Sequence, residues 1–143
     1  MKAINPYLTF DGNCREAMTF YAKALDAELS IKTFKESGME TPGMADRVMH
    51  AHISRGGGGA LMSGGQAVLM ASDSQPNQPV TFGDNVWLSI DCDDTAEQDR
   101  IFEGLSDGGK VVMPLNNTFW GARFGMLKDK FGLGWMLNCE LKK

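Results

Sequence analysis

The sequence predicts an α+β fold: two tandem βαβββ units whose strands form a curved, mixed-sheet cup with the helices on its convex side. Three observations carry this. The segment NPYLTFD at Asn5–Asp11 returns as NVWLSID at Asn85–Asp91; each copy runs into a helical pattern; and each helical pattern is followed by three alternating stretches bounded by Gly, Pro, Asn or Asp. With 143 residues, 43% of them hydrophobic, the chain has the size and apolar content of one domain with a sizeable core.

The elements follow in order. In the first strand Pro6, Leu8 and Phe10 form one side and Asn5, Tyr7 and Thr9 the other, because successive side chains of a strand point to opposite faces. Asn13 followed by Glu16 resembles a capping box ahead of the helical AMTFYAKAL. The stretches LSIKTF, RVMHAHIS and QAVLMAS read as strands, and RVMHAHIS sets Met49, Ala51 and Ile53 against Val48, His50, His52 and Ser54. A glycine-rich segment from Arg55 to Gly65 separates two of these strands and reads as a hairpin loop, since no helix or Lys-Ser/Thr pair follows to make it a phosphate cradle. Unit one spans about 1–73, a polar linker rich in turn formers about 74–84, and unit two about 85–143. In the second unit Val86, Leu88 and Ile90 oppose Asn85, Trp87 and Ser89, Asp94 with Glu97 forms a second capping box ahead of QDRIFEGL, and KVVMP, FWGARFGML and GWMLNCE complete the strands. Helices need apolar sheet faces to cover, so the aliphatic set of each strand belongs under a helix and the polar-aromatic set on the open face, where a ligand would sit.

Composition narrows the function. A net charge of −4 without a basic block lacks the footprint of a nucleic-acid binder. The apolar runs fall far short of the roughly 20 residues needed to span a bilayer, so no membrane partner is expected and the protein reads as cytoplasmic. Cys14, Cys92 and Cys139 are odd in number and irregular in spacing, as suits reduced structural thiols, although a helix start such as that of Cys14 can lower a thiol pKa.

The duplicated unit, the opening FDGNCREAMTFY and the string FWGARFG…DKFGLGW together resemble the PhnB-like branch of the vicinal oxygen chelate superfamily, relatives of glyoxalase and of the bleomycin and fosfomycin resistance proteins. The resemblance covers almost the whole chain; the glycine-rich insertion departs from the short turn usual there. It implies the glyoxalase/bleomycin resistance/dioxygenase fold and a homodimer, and it also brings a frequent label, demethylubiquinone methyltransferase, although no glycine-rich strand-turn-helix nucleotide site follows the first strand. Metal-using members bind a divalent ion through His, Gln or Glu on the first and last strands of each unit. Those positions fall here on Asn5, Asn85, Met70 and Met136, two amides and two thioethers, which are poor ligands for a hard divalent ion. No metal and no other cofactor is therefore expected.

The ligand-binding set expected on the open face is Asn5, Tyr7, His50, His52, Met70, Asn85, Trp87, Trp120, Arg123 and Met136. Tyr7 and Trp87 offer rings for stacking, Arg123 a forked donor for an anion, and the two methionines an adaptable apolar wall. His50 and His52, two apart on one strand, are the candidate catalytic pair, and each also has an ordinary hydrogen-bonded reading. Two functions follow. One is a cup that binds a small amphipathic or aromatic molecule without metal; the alternative is a metal-dependent lyase or isomerase, or another enzyme, using His50 and His52.

Overall fold

The computed structural model describes residues 1–38, 42–55 and 66–142. Most of the glycine-rich segment expected to form a hairpin loop, residues 56–65, lies outside them. The chain divides into two compact units, Met1–Thr81 and Phe82–Lys143. The first contains β1 (Tyr7–Phe10), α1 (Cys14–Leu25), β2 (Glu28–Thr33), β3 (Val48–Arg55) and β4 (Gln66–Asp73); the second contains β5 (Trp87–Asp91), α2 (Thr95–Ser106), β6 (Lys110–Asn117), β7 (Ala122–Lys128) and β8 (Gly134–Glu140).

Each unit is βαβββ, and the strand orders are copies: β1-β4-β3-β2 and β5-β8-β7-β6. In both, the opening strand runs parallel to the closing one and the remaining pairs are antiparallel, which makes the sheets mixed. The expected α+β architecture of two four-stranded mixed sheets with two helices is therefore present.

Helical periodicity decides what α1 buries. Cys14, Ala17, Met18, Tyr21 and Ala22 recur at the spacing of one helix face and lie against β2, β3 and β4. They meet Phe10, Ala51, Ile53, Leu69 and Ala71 from the sheet, all buried. In α2 the same role falls to Gln98, Ile101, Phe102 and Leu105 over β7 and β8. Burying each large apolar side chain contributes about 1.5–3 kcal/mol, so these two layers hold the units together. Gln98 is the polar exception: fully buried, its Nε2 donates to the carbonyls of Arg123 (2.8 Å) and Leu137 (3.2 Å), so its amide group is paired rather than stranded.

The helix starts differ. At α2 the capping box forms as expected: the Glu97 amide donates to Asp94 Oδ1 at 2.8 Å, and Glu97 Oε1 accepts from the Asp93 amide at 3.0 Å. At α1 it does not, because Asn13 makes no side-chain cap. The Asp73 carboxylate, from the end of β4, accepts from the amides of Gly12 (2.9 Å), Cys14 (3.0 Å) and Val48 (2.8 Å) instead. A buried anion at a helix N-terminus satisfies orphan donors and complements the helix dipole. Asp73, expected at the edge of the linker, is thus a joint between β3, β4 and α1. Asp129 does similar work before β8, accepting from the Phe131 and Leu133 amides and from Trp135 Nε1 at 2.8 Å.

One expected side-chain orientation is corrected by a β-bulge. The register steps between Lys32, which pairs with His50, and Thr33, which pairs with Val48, so Met49 is the extra residue and Val48 turns into the core. A second step, between Ile53 and Ser54, makes Val68 the extra residue of β4, and Ser54 is buried. Val86 also differs from expectation: it precedes β5 and is 63% exposed, outside the apolar layer assigned to it.

Candidate ligand face

In the first unit the face away from α1 gathers side chains by strand pairing. Across the sheet Ser30 is level with His52, His52 with Met70, and Met70 with Tyr7; Lys32 is level with His50. Partners in register project from the same face with their Cβ atoms about 4.5–5.5 Å apart, so four expected site residues, Tyr7, His50, His52 and Met70, come together. Asn5 lies just ahead of β1 and is exposed.

The polar geometry is uneven. The Tyr7 hydroxyl and His50 Nδ1 share a hydrogen bond at 3.2 Å, and their rings lie 5.9 Å apart at 42°. The His52 ring lies 5.5 Å from that of His50, again at 42°. Both His52 ring nitrogens are withdrawn from solvent and have no hydrogen-bond partner among the described residues. A buried donor or acceptor left unpaired costs about 1–3 kcal/mol, which makes His52 the least satisfied group on this face. Burial pushes the His52 pKa down from its ordinary value, and the neighbouring His50 adds to the effect, so the neutral imidazole is favoured.

The second unit presents a softer face. Met113 pairs with Met126, Met126 with Met136, and Met136 with Ser89, a row of three thioethers and a hydroxyl across four strands. Met113 and Met126 escaped sequence reasoning, since only the pairing register brings them level with Met136. Trp87 pairs with Gly134, and a Cβ on Gly134 would lie 2.6 Å from the indole, so the ring lies flat over bare backbone. Lys128 Nζ sits 5.4 Å from the same ring and 2.6 Å from Asp84 Oδ1, and Trp87 Nε1 donates to the Asp84 carbonyl at 3.0 Å. The Asp84 carboxyl is held below its usual range by the Lys128 ammonium. Trp87 is therefore half-buried and already occupied by its own unit.

The remaining expected residues are placed apart from the methionine row. Arg123 lies on central β7, not on an edge strand, and pairs with Cys139, which is buried. Its Nη2 binds Asp99 Oδ1 at 2.7 Å, so it faces α2 rather than the face of Met126 and Met136. Trp120 is in the turn before β7, 55% exposed, with its ring edge-on to Phe119 and Phe124. Asn85 is exposed in the segment before β5.

Tyr7 is level with Met70, whereas its repeat equivalent Trp87 is level with Gly134 and Met136 with Ser89. Asn5, Asn85, Met70 and Met136 offer two amides and two thioethers, and these do not fit a hard divalent ion. Among the described residues no group of three or more His, Cys, Asp or Glu is placed to hold one. All three cysteines are free and buried. Burial, with the Asp73 carboxylate beside it, pushes the Cys14 thiol up to about 12, the opposite of the lowering a helix start can bring.

Comparison with known proteins agrees with this architecture. The model of the family described as 3-demethylubiquinone-9 3-methyltransferase matches residues 2–138. Protein PA1353 from Pseudomonas aeruginosa is 40% identical with a TM-score of 0.82, covering 99% of this chain and 100% of its own. A PhnB protein from Bacillus cereus, which bears the same methyltransferase description, is 32% identical with a TM-score of 0.74 over 96% of this chain and 99% of its own. A glyoxalase/bleomycin resistance protein/dioxygenase family enzyme from Burkholderia phytofirmans, 14% identical, shares the fold with a TM-score of 0.62 over 97% and 100%. With two copied βαβββ units and a family match over nearly its whole length, the chain belongs to this PhnB-like family and has the glyoxalase/bleomycin resistance/dioxygenase fold.

Proposed function

We propose that the protein binds a small amphipathic or aromatic molecule on the open face of its sheets, without the divalent metal centre of its superfamily. The observation that carries this reading is the gathering of Tyr7, His50, His52 and Met70 on the face of the first sheet opposite α1. Aromatic rings and a thioether supply apolar contact, and the imidazoles supply orientation, the usual division of labour in a small-molecule site. The thioether row of Met113, Met126 and Met136 gives the second sheet an adaptable apolar surface of the same kind.

Methyl transfer, the activity in the family description, draws no support from the first βα turn. No glycine-rich nucleotide loop stands there, and the amides of Gly12 and Cys14 at the start of the helix already bind Asp73. The metal-dependent reading of His50 and His52 has only two imidazoles and no carboxylate beside them among the described residues.

The reading includes a homodimer, supported by the edge strand β6, which exposes Val111, Val112 and Met113. Sedimentation that gives a monomer mass at working concentration overturns this part. A cytoplasmic location is in keeping with the three free cysteines. The binding reading itself is tested by a thermal-shift scan of aromatic metabolites and drugs. At least one is expected to raise the midpoint with concentration, and to do so less in Tyr7→Ala and Met70→Ala. A scan in which nothing raises the midpoint overturns it.

A further inference from the structure

We propose that His52 is the polar anchor of this ligand, and that the ligand is a neutral planar ring bearing a hydroxyl or ring N–H, rather than an anion. The inference rests on the binding reading above and names its chemistry. Buried polar groups in folded proteins are nearly always paired, yet both nitrogens of His52 are withdrawn from water with no partner among the described residues. His50 commits its Nδ1 to the Tyr7 hydroxyl through their 3.2 Å hydrogen bond. His52 is the imidazole of the pair with both ring nitrogens buried and unpaired among the described residues.

The surroundings fix the guest's shape and charge. Tyr7, His50 and His52 present rings in succession, 5.9 Å and 5.5 Å apart and each tilted by 42°, and Met70 stands across from both Tyr7 and His52. Rings and a thioether give the most contact to a flat guest, through stacking and sulfur–aromatic approach. A neutral imidazole offers one donor and one acceptor. A hydroxyl or a ring N–H next to a ring acceptor meets either, whichever tautomer His52 adopts. An anion would have to leave water for a place where no buried cation stands among the described residues. The charged group level with this pair is Lys32, opposite His50, and it is exposed.

The test uses the full chain with 15N-labelled histidine and 13C-labelled tyrosine and methionine, and two probes of one shape, 2-naphthol and 2-naphthoate, titrated at pH 8, below the naphthol pKa. 2-Naphthol is expected to shift the His52 ring nitrogens and to bind about tenfold more tightly than 2-naphthoate, a preference lost in His52→Phe. His52→Gln, which keeps a donor and an acceptor, is expected to restore part of it, and stands in where His52→Phe fails to fold. Tighter binding of 2-naphthoate overturns the inference. So does 2-naphthol binding that moves Tyr7 and Met70 signals but leaves the His52 ring unchanged, an outcome that leaves the binding reading standing. If neither probe binds and the thermal scan is also empty, both fall.

Discussion

The carboxylate of Asp73 holds the amide of Cys14, 59 residues earlier in the chain, at 3.0 Å. The same side chain takes the amides of Gly12 and Val48, so one buried residue ends β4, starts α1 and pins the start of β3. Replacing it by Ala strands three donors at once. Asp73→Ala is expected to lose about 3 kcal/mol of stability in urea unfolding, with the larger part recovered by no substitution at Asn13. A loss below about 1 kcal/mol would show that water replaces the carboxylate.

Gly134 is the floor under Trp87. A Cβ there would lie within 2.6–2.9 Å of the indole, so Gly134→Ala must displace the ring from its seat beside Lys128. The expected cost is about 1–3 kcal/mol, with a change in tryptophan fluorescence. In a Trp87→Ala background the cost of Gly134→Ala should nearly vanish, a coupling that a double-mutant cycle measures.

The His52 pKa is lowered in the folded state, first by burial and then by His50. The folded protein therefore binds fewer protons than the unfolded chain between the folded value and the ordinary 6.5. Stability carries no penalty from this group above 6.5, and falls as pH drops through 6.5 toward the folded pKa. His52→Asn is expected to flatten that part of the stability profile, measured by urea midpoints from pH 7.5 down to about 5. A slope unchanged in the variant assigns the effect to other groups.

The thiols of Cys14 and Cys92 are both pushed up to about 12, each mainly by burial. The thiolate is the reactive form, so in native protein at pH 8 both should resist a disulfide reagent and react fully once urea exposes them. Rapid native labelling of Cys14 would contradict the packing of α1 on its sheet.

How much of this was legible in the chain can be judged residue by residue. The repeat of NPYLTFD as NVWLSID, and the helical spacing after each copy, specified two βαβββ units, because period and turn chemistry are local properties. Alternation also set the faces of β1: Pro6 and Leu8 are half-buried, Phe10 is buried, and Asn5, Tyr7 and Thr9 are exposed. Grouping His50 with His52 was legible for the same reason.

Tertiary structure decided the rest. The bulge at Met49 reversed Val48, since one extra residue in a strand swaps the faces beyond it, and nothing in the strand's own composition marks where its partner slips. Register alone could align Met136 with Met126 and Met113 and set Gly134 beneath Trp87. Arg123 turned to α2 and Asp73 to α1 because a charged group near a helix pairs with whatever donors or acceptors packing brings within reach, and those partners are 24 and 59 residues away. Local periodicity wrote the elements; long-range pairing, which no short stretch encodes, chose which side chains share a face.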